Sequence, residues 1–345
     1  MADEARLVGA FVLPLCVVWV LIPVAIAVAA RTDFYDHPAG GYKSHRTPTP
    51  YLGGAAVVAG FLAAVMIFGG ELSESLPIVA CVAALSILGT VDDRVGTRPI
   101  HRILAGAVAG AALWSAGVSW GLDSELADLA LTVLWTLALT NAFNILDNMD
   151  GVVGTLAAVC AVGISASAYL TGDVLLSASA LALGGACLAF LRYNLTRPAR
   201  IFLGDGGSMP IGFAVAALSM SVVPTESFGW PALLGAGMLV GVPILDTLQV
   251  IISRTRRGIP LTQPGRESLS YRLQRRFRSV RHIVVVLGAL QAASSLLAVV
   301  TIELGRGAVI AAGTGSLLVG VILIAILETP AWAPDTSERP EQVRV

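Results

Sequence analysis

Residues Asn141–Gly151, with the sequence Asn-Ala-Phe-Asn-Ile-Leu-Asp-Asn-Met-Asp-Gly, decide how the rest of the chain is interpreted. Two apolar runs, Leu126–Thr140 and Val152–Leu170, flank this polar stretch. An acidic side chain at the centre of a membrane helix costs roughly 2.5–3.5 kcal/mol. Further acids occur at comparable places in the chain, at Asp92-Asp93 and Asp205. Whether these carboxylates meet in the folded protein decides between a polar turn and a functional site.

The composition indicates a membrane protein. Hydrophobic residues make up 56% of the 345 residues and charged residues only 13%, whereas a soluble domain carries about 25% charged residues. The apolar runs are long enough to cross a bilayer as helices. The formal net charge of -1 creates no field that favours nucleic acid. The sequence therefore predicts an all-α polytopic membrane protein that contacts membrane lipids and has no nucleic-acid partner.

Eleven apolar runs are predicted to be transmembrane helices. They are Leu7–Ala29, Leu52–Gly69, Leu76–Val91, Ile103–Trp120, Leu126–Phe143, Val152–Leu170, Val174–Leu191, Met209–Val223, Pro231–Ile252, Ile283–Ile302 and Ala308–Leu327. We expect one integral-membrane domain over residues 1–329. The tail at 330–345 is rich in Pro, Glu and Arg, which predicts a disordered cytoplasmic segment.

The distribution of positive charge predicts the orientation of these helices. Twenty of the 22 lysine and arginine residues fall in loops on one side of the eleven runs, and Arg6 and Arg306 are left for the other side. By the positive-inside rule, the arginine-rich side faces the cytoplasm. The sequence therefore predicts a multi-pass protein of the cell membrane with its N-terminus outside and its C-terminus in the cytoplasm.

The polar clusters all fall on this predicted cytoplasmic side, and they include five carboxylates: Asp92, Asp93, Asp147, Asp150 and Asp205. Carboxylates brought together would repel one another, and a divalent cation would relieve that repulsion. Oxygen ligands with no nearby cysteine suit Mg²⁺ or Mn²⁺. The glycines of Gly204–Ser208 are predicted to leave backbone N–H groups exposed for a phosphate. Together these features indicate transfer of a phosphate-bearing group at the cytoplasmic face of the membrane.

In order and pattern, these segments resemble the polyprenyl-phosphate N-acetylhexosamine-1-phosphate transferase superfamily, of the glycosyltransferase family 4 type. The matching segments are Asp36–Gly54, Val91–Asp93, Asn141–Gly151, Phe202–Gly212 and Pro243–Arg257. The most specific patterns are Asn-x-x-Asn-x-x-Asp-x-x-Asp-Gly and Phe-Leu-Gly-Asp-x-Gly-Ser. Lys43 and His45 resemble the Lys-x-His loop of the family. The likeness is closer to the undecaprenyl- and decaprenyl-phosphate N-acetylglucosamine-1-phosphate transferases than to the phospho-N-acetylmuramoyl-pentapeptide transferases.

The resemblance implies a reaction. A phosphate oxygen of undecaprenyl or decaprenyl phosphate would attack the β-phosphorus of a UDP-sugar and release UMP. A polyprenyl-diphosphate-sugar would stay in the membrane, as the first step of a cell-wall or surface glycan. Both reactants are polyanions, so Mg²⁺ (or Mn²⁺) would be needed as a cofactor. The implied donor is UDP-N-acetylglucosamine or a related UDP-N-acetylhexosamine, and a homodimer is one possible assembly.

The resemblance also implies roles for individual residues. Asp205 would bind the metal, with Asp147 as a second ligand. Asp92 and Asp93 would be the catalytic pair that orients or deprotonates the acceptor phosphate. Because the second pKa of a phosphate monoester is about 6, the acceptor scarcely needs a base at neutral pH, and positioning is the favoured role. The implied substrate-binding residues are Lys43, His45, Asn141, Asn144, Asp147, Asp150, Phe202, Arg266 and Arg272, with Phe202 at the uracil-stacking position and Lys43 on a phosphate.

One segment departs from the family pattern. Relatives of the N-acetylglucosamine type carry a basic residue followed by a His-x-His-His cluster, whereas this chain has Ser268, Ser270 and Tyr271 at the histidine positions. The change leaves the donor sugar open. It also leaves open a paralogue that binds the lipid carrier without catalysis. A multi-pass transporter is the other alternative, because intramembrane acids are typical of transporters. The acids cluster at one face rather than at the midplane, which favours the enzyme.

Overall fold

The computed structural model describes residues 2–38, 47–70, 72–222, 229–261, 263, 265–277 and 279–332. Lys43, His45 and the predicted disordered tail from residue 333 onward lie outside the described residues. Within them, the chain forms thirteen α-helices and one antiparallel pair of two-residue strands. The elements are α1 (Asp3–Thr32), β1 (Tyr35–Asp36), β2 (Thr49–Pro50), α2 (Gly53–Phe68), α3 (Leu72–Val95), α4 (Pro99–Ser115), α5 (Glu125–Leu146), α6 (Val152–Leu170), α7 (Val174–Asn194), α8 (Asp205–Ser221), α9 (Trp230–Leu239), α10 (Gly241–Arg257), α11 (Leu269–Gln274), α12 (Val280–Leu304) and α13 (Arg306–Leu327).

Each of the eleven predicted apolar runs overlaps helical structure, which confirms an all-α polytopic membrane protein. Among the described residues, seven helices are long and apolar enough to cross a membrane, namely α1, α3, α5, α6, α7, α12 and α13. The run Pro231–Ile252, predicted as one span, is divided into α9 and α10, which meet at 90°. Counting this bent pair as one span gives eight. The count of eleven and the orientation stay predictions.

Helix α8 lies at the centre of the bundle, where all residues from Gly206 to Met220 are buried. It packs against α3 and α5 and also contacts α2. In a membrane protein, a helix that is apolar on all sides can face either lipid or the protein interior, and these contacts place α8 in the interior. The helix predicted to begin at Met209 begins one turn earlier, at Asp205. The polar residues before the run are therefore the first turn of a buried helix.

Pro210 lies inside α8. A proline inside a helix has no N–H to donate to the carbonyl four residues earlier, which here belongs to Gly206. Ser86 of α3 supplies the missing donor, because its hydroxyl donates to the Gly206 carbonyl oxygen at 2.7 Å. The proline therefore leaves the Gly206 carbonyl free to accept the hydrogen bond that joins α8 to α3.

The first turn of α8 touches its neighbours backbone to backbone. A Cβ added at Gly89 of α3 would lie 2.3 Å from the carbonyl oxygen of Asp205, and one added at Gly54 of α2 would lie 2.3 Å from the backbone nitrogen of Gly207. Only glycine allows such close approach of two helices. The glycines on both sides therefore position the polar end of α8 against α2 and α3.

Candidate active site

Asp93, near the end of α3, caps the N-terminus of α8. Its Oδ1 accepts a hydrogen bond from the N–H of Asp205 at 3.0 Å, and its Oδ2 accepts one from the N–H of Gly206 at 3.2 Å. The first N–H groups of a helix have no partner within it, and a carboxylate there also meets the positive end of the helix dipole. The tyrosine hydroxyl of Tyr51 donates to the backbone carbonyl of Asp93 at 2.8 Å. Asp93 is thereby held between two other segments.

The glycine loop before α8 does not form the exposed phosphate cradle predicted from the sequence. The N–H groups of Asp205 and Gly206 are already bound, and those of Gly207 and Ser208 donate to the carbonyl of Gly204 at 3.0 and 2.9 Å. That prediction is wrong because a buried helix N-terminus must have its N–H groups satisfied. The glycines instead permit close contact and a left-handed backbone, since Gly204 has a φ of 74°.

The side chain of Asp205 is held from two sides. Asn144 of α5 donates from Nδ2 to Asp205 Oδ1 at 2.8 Å and to the hydroxyl of Ser208 at 3.1 Å. Arg102 of α4 places Nη1 2.6 Å from Asp205 Oδ2 and 3.4 Å from Asp92 Oδ2. Arg102 was missed from the sequence, where it counted only toward the cytoplasmic charge. Its place in the first turn of the helix after the Asp-Asp pair is the one signal that could have identified it.

Asp92 is directed toward its own loop and toward Arg102. Its Oδ1 accepts from the backbone N–H of Thr97 at 2.6 Å and also from the Thr97 hydroxyl. The side chain of Asp92 is only 7% exposed. The structure therefore brings the two predicted catalytic acids to Asp205 by different routes, Asp93 through the backbone of α8 and Asp92 through Arg102. Their catalytic roles stay predictions.

Asp147, at the C-terminal end of α5, lies in the electrostatic field of the other acids. Burial raises the pKa of Asp147 well above its ordinary value, and the charges of Asp205, Asp93 and Asp150 raise it further. Carboxylates affect one another's pKa in this way only when they are close together. The hydrogen bond from Asn144 to Asp205 at 2.8 Å independently places the end of α5 beside α8.

The charge of this site fits a cation, although the side chains do not form a closed cage for one. Among the described residues, no three His, Cys, Asp or Glu side chains converge closely enough to hold a metal ion. Mg²⁺ commonly binds only one or two carboxylates and completes its shell with water and substrate phosphates. Asp205 and Asp147 stay the predicted ligands of such an open site.

Two further predicted substrate residues are Asn141 in α5 and Phe202 just before α8. The amide of Asn141 donates from Nδ2 to the carbonyl of Leu137 in its own helix at 2.8 Å. Phe202 is partly exposed, and its backbone is fixed because its N–H donates to Pro50 at 2.8 Å and its carbonyl accepts from Gly53 at 3.1 Å. The ring of Phe202 is therefore carried on a rigid segment just before α8.

Arg272 is buried among hydrogen-bond partners of its own and does not contact the acidic group, which consists of Asp92, Asp93, Asp147, Asp150 and Asp205. Its guanidinium is 1% exposed. It donates to the carbonyl of Glu267 at 2.8 Å, to the hydroxyl of Ser253 at 3.0 Å and to Glu328 Oε1 at 2.7 Å, and it also contacts the carbonyl of Leu327. These contacts join α10, α11 and the end of α13. The placement leaves Arg272 without a surface for a substrate.

Replacing Arg272 by alanine is expected to lower the free energy of unfolding by about 3–5 kcal/mol, because Glu328 would become a buried charge without its main partner. Arg256 is the matched control, since it approaches the same carboxyl group to 3.9 Å but is 64% exposed. Arg256→Ala is therefore expected to cost less than about 1 kcal/mol. Unfolding in detergent measures both. A stable Arg272→Ala protein with a raised KM for the donor would return Arg272 to the substrate site.

The serines that stand at the histidine positions bind the Asn141–Gly151 stretch. Ser270 donates from its hydroxyl to Asn148 Oδ1 at 2.6 Å, and Asn148 Nδ2 donates to the Ser268 hydroxyl at 3.1 Å. Ser268 and Ser270 are 3% and 0% exposed. Tyr271 and Arg266 stay partly exposed, with the Arg266 guanidinium 5.7 Å from the centre of the Tyr271 ring. Of the residues at Arg266, Ser268, Ser270 and Tyr271, Arg266 and Tyr271 are therefore the two that are partly exposed.

A double-mutant cycle on Asn148 and Ser270 is expected to show a coupling of about 0.5–3 kcal/mol in unfolding free energy. Ser270→Ala removes the donor to Oδ1 of the half-buried Asn148, which costs about 1–3 kcal/mol, and Asn148→Ala leaves Ser270 with its contact to Ser268 alone, whereas the double variant removes both partners. The control cycle pairs Asn148 with the exposed Ser115, whose hydroxyl binds Ala112 of α4. Additive effects in the Asn148–Ser270 cycle would show that the two side chains do not interact.

A known family model covers Asp92, Asp93, Asp147, Asp150 and Asp205. A model of Glycosyl transferase family 4 matches residues 75–223. The chain is 33% identical over 282 residues to decaprenyl-phosphate N-acetylglucosaminephosphotransferase of Mycobacterium tuberculosis, covering 70% of each chain. It is 30% identical over 300 residues to the probable undecaprenyl-phosphate N-acetylglucosaminyl 1-phosphate transferase of Bacillus subtilis, covering 83% of each chain.

A phospho-N-acetylmuramoyl-pentapeptide-transferase of Synechococcus is also similar. It is 30% identical over 245 residues, which cover 63% of this chain and 66% of that protein. The two N-acetylglucosamine enzymes thus match over a larger share of the chain than the muramoyl enzyme does. This difference agrees with the branch that the motifs favoured.

Proposed function

Because this chain belongs to glycosyl transferase family 4, we propose that it transfers N-acetylglucosamine-1-phosphate from a UDP-linked donor to a polyprenyl phosphate. The products are UMP and a polyprenyl-diphosphate-sugar that stays in the membrane. The reaction forms one P–O bond at the β-phosphorus of the donor and breaks the bond to UMP. The phosphate oxygen of the acceptor is the nucleophile, and no covalent enzyme intermediate is required.

The observation that carries the proposal is the convergence on Asp205. Its carboxylate binds Asn144 at 2.8 Å and Arg102 at 2.6 Å, and its backbone N–H binds Asp93 at 3.0 Å. The residues that meet here come from α3, α4, α5 and α8, all within the region that matches the family. An acidic group assembled from four helices by specific hydrogen bonds is not expected of a solvated helix boundary.

The chain would use these residues to hold and orient two polyanions. We propose that Asp205 and Asp147 hold a Mg²⁺ ion, whose charge offsets that of the donor diphosphate and of the leaving UMP. Asn144 keeps the Asp205 carboxylate in position, and Asp93 fixes the end of the helix that carries it. Phe202 offers a flat ring for the uracil, and Arg266 a cation for a phosphate. Lys43 and His45 keep their predicted substrate roles, outside the described residues.

The proposed site lies at the cytoplasmic face of a multi-pass protein with eleven spans and an external N-terminus. The support is the placement of twenty of the 22 lysine and arginine residues on one side of the predicted spans. Cytoplasmic placement would give the site access to soluble UDP-sugars and to the phosphate end of a membrane-bound carrier. A homodimer stays a prediction.

The direct test measures UMP release by the purified protein in detergent or lipid nanodiscs. UDP-N-acetylglucosamine with decaprenyl or undecaprenyl phosphate and Mg²⁺ is expected to support turnover, and EDTA is expected to stop it. A panel with UDP-N-acetylgalactosamine and UDP-glucose reports donor choice. Absence of UMP release with every donor would overturn the proposal.

A second candidate is a protein that binds the lipid carrier without turnover. The observation in its favour is the burial of Ser268 and Ser270 against Asn148, because side chains used in this way do not reach a donor. Binding of decaprenyl phosphate without UMP release from any UDP-sugar would select this candidate. Uptake of a solute into liposomes would instead favour a transporter.

A further inference from the structure

Arg102 lies in the position where a cation would be expected. Its Nη1 atom is 2.6 Å from Asp205 Oδ2 and 3.4 Å from Asp92 Oδ2. The guanidinium thus bridges two of the acids and neutralises part of their charge. Helix α4 delivers this side chain from its first turn, so no rearrangement of the backbone is needed to reach Asp205.

Arg102 and a divalent cation would compete for the same oxygen atom. Oδ1 of Asp205 already accepts a hydrogen bond from Asn144 at 2.8 Å, and Oδ2 is the atom that Arg102 contacts. A Mg²⁺ ion binds a carboxylate oxygen at about 2.0–2.1 Å. A guanidinium in contact with that oxygen would occupy the adjoining space and would repel the ion.

The ion pair between Arg102 and Asp205 can open to admit a divalent cation. The Arg102 side chain is 28% exposed and that of Asp205 is 22% exposed. An ion pair with partial access to water is more easily opened than a fully buried one, since each charge regains hydration when the pair opens. By contrast, Asp93 is bound by backbone N–H groups, which cannot move away without unwinding α8.

We propose that Arg102 is a built-in counter-ion that neutralises Asp205 in the metal-free protein and moves aside when a divalent cation binds. The proposal rests on the proposed function, because it takes from it a divalent cation at Asp205. Arg102 is thus a competitor of the metal and not a helper in binding it. If Arg102 competes with the metal, its removal raises the affinity for the divalent cation. If Arg102 helped to bind the metal, its removal would lower that affinity.

The test measures binding of Mn²⁺ alone by electron paramagnetic resonance on the detergent-purified full chain. Arg102→Gln is expected to bind Mn²⁺ about three- to five-fold more tightly than the wild type, the fold-change that corresponds to a weak ion pair. Arg98→Gln is the matched control, because it removes the same charge from an exposed residue one turn earlier. It is expected to change Mn²⁺ affinity by less than about two-fold. Unchanged or weaker binding by Arg102→Gln would overturn the proposal.

A second measurement needs no variant at Arg102. Phenylglyoxal modifies accessible arginines, and mass spectrometry reports each position. Mn²⁺ is expected to raise the reactivity of Arg102 while leaving that of Arg98 unchanged. Reactivity of Arg102 that stays constant or falls on metal addition would contradict its release.

Failure of this inference can be distinguished from failure of the proposed function. Asp205→Asn is expected to lose Mn²⁺ binding. If the wild type binds Mn²⁺ through Asp205 and Arg102→Gln does not tighten binding, only the counter-ion role is wrong. If Mn²⁺ binding is absent or does not depend on Asp205, both the metal assignment and the counter-ion role are overturned.

Discussion

Asp205→Asn is expected to lower kcat for UMP release on the order of 10²–10³-fold, the loss typical of removing one charge-stabilising group from an active site. The substitution keeps the size of the side chain but removes the charge that would hold a cation. Its contact with Arg102 would change from an ion pair to a neutral hydrogen bond. Because both substrates are polyanions, loss of the cation would affect the transition state more than ground-state binding of the lipid.

Steady-state UMP release with saturating UDP-N-acetylglucosamine measures this effect. Asp123→Asn is the control, because Asp123 is an exposed acid between α4 and α5. It is expected to retain the wild-type kcat. Size-exclusion chromatography and thermal unfolding show whether each variant is folded. A folded Asp205→Asn protein with wild-type turnover would remove Asp205 from the reaction.

Gly89→Ala is expected to damage both stability and activity, although it adds a single methyl group. The new Cβ would lie 2.3 Å from the carbonyl oxygen of Asp205 and 2.4 Å from its carbonyl carbon. These are backbone atoms of α8, so they cannot turn away as a flexible side chain would. Overpacking of this kind costs about 1–3 kcal/mol or more, which exceeds the roughly 0.8–1.0 kcal/mol that alanine gains over glycine in a helix.

The activity of Gly89→Ala is expected to fall by on the order of 10²-fold, because separating α3 from α8 would misplace Asp205 by part of an ångström or more. Gly237→Ala is the matched control, since Gly237 also lies in a helix but a Cβ there meets no atom within 4 Å. This control is expected to be neutral or up to about 1 kcal/mol more stable. Thermal unfolding and UMP release report both variants, and equal behaviour of the two would contradict the close packing of α3 and α8.

Much of the architecture could be predicted because it depends on local sequence. A run of about 20 apolar residues forms a membrane helix largely irrespective of its neighbours, since the backbone must satisfy its own hydrogen bonds in lipid. The predicted runs therefore overlap helices α1 to α10, α12 and α13. The bend between α9 and α10 was not foreseen, because Val240–Gly241 lies within a continuous apolar run.

The sequence was enough to recognise the acidic residues as a set. It was not enough to predict which residue each of them contacts in the fold. Carboxylates that recur at the ends of apolar runs stand out in any membrane sequence. That Asp93 caps α8 and that Arg102 binds Asp205 depends on contacts between residues 112 and 103 positions apart. No pattern of spacing along the chain specifies such contacts.

The sequence by itself determined that this is a polytopic helical protein, that Asn141–Gly151 is a polar site between apolar helices, and that its acids belong with Asp92, Asp93 and Asp205. Tertiary structure alone decided which atoms meet. It showed glycines used for helix contact rather than phosphate binding, Arg272 used as a clamp, and serines at histidine positions bound to Asn148. The physical reason is that apolar periodicity and charge placement are local properties, whereas hydrogen-bond partners are selected by the packing of distant helices.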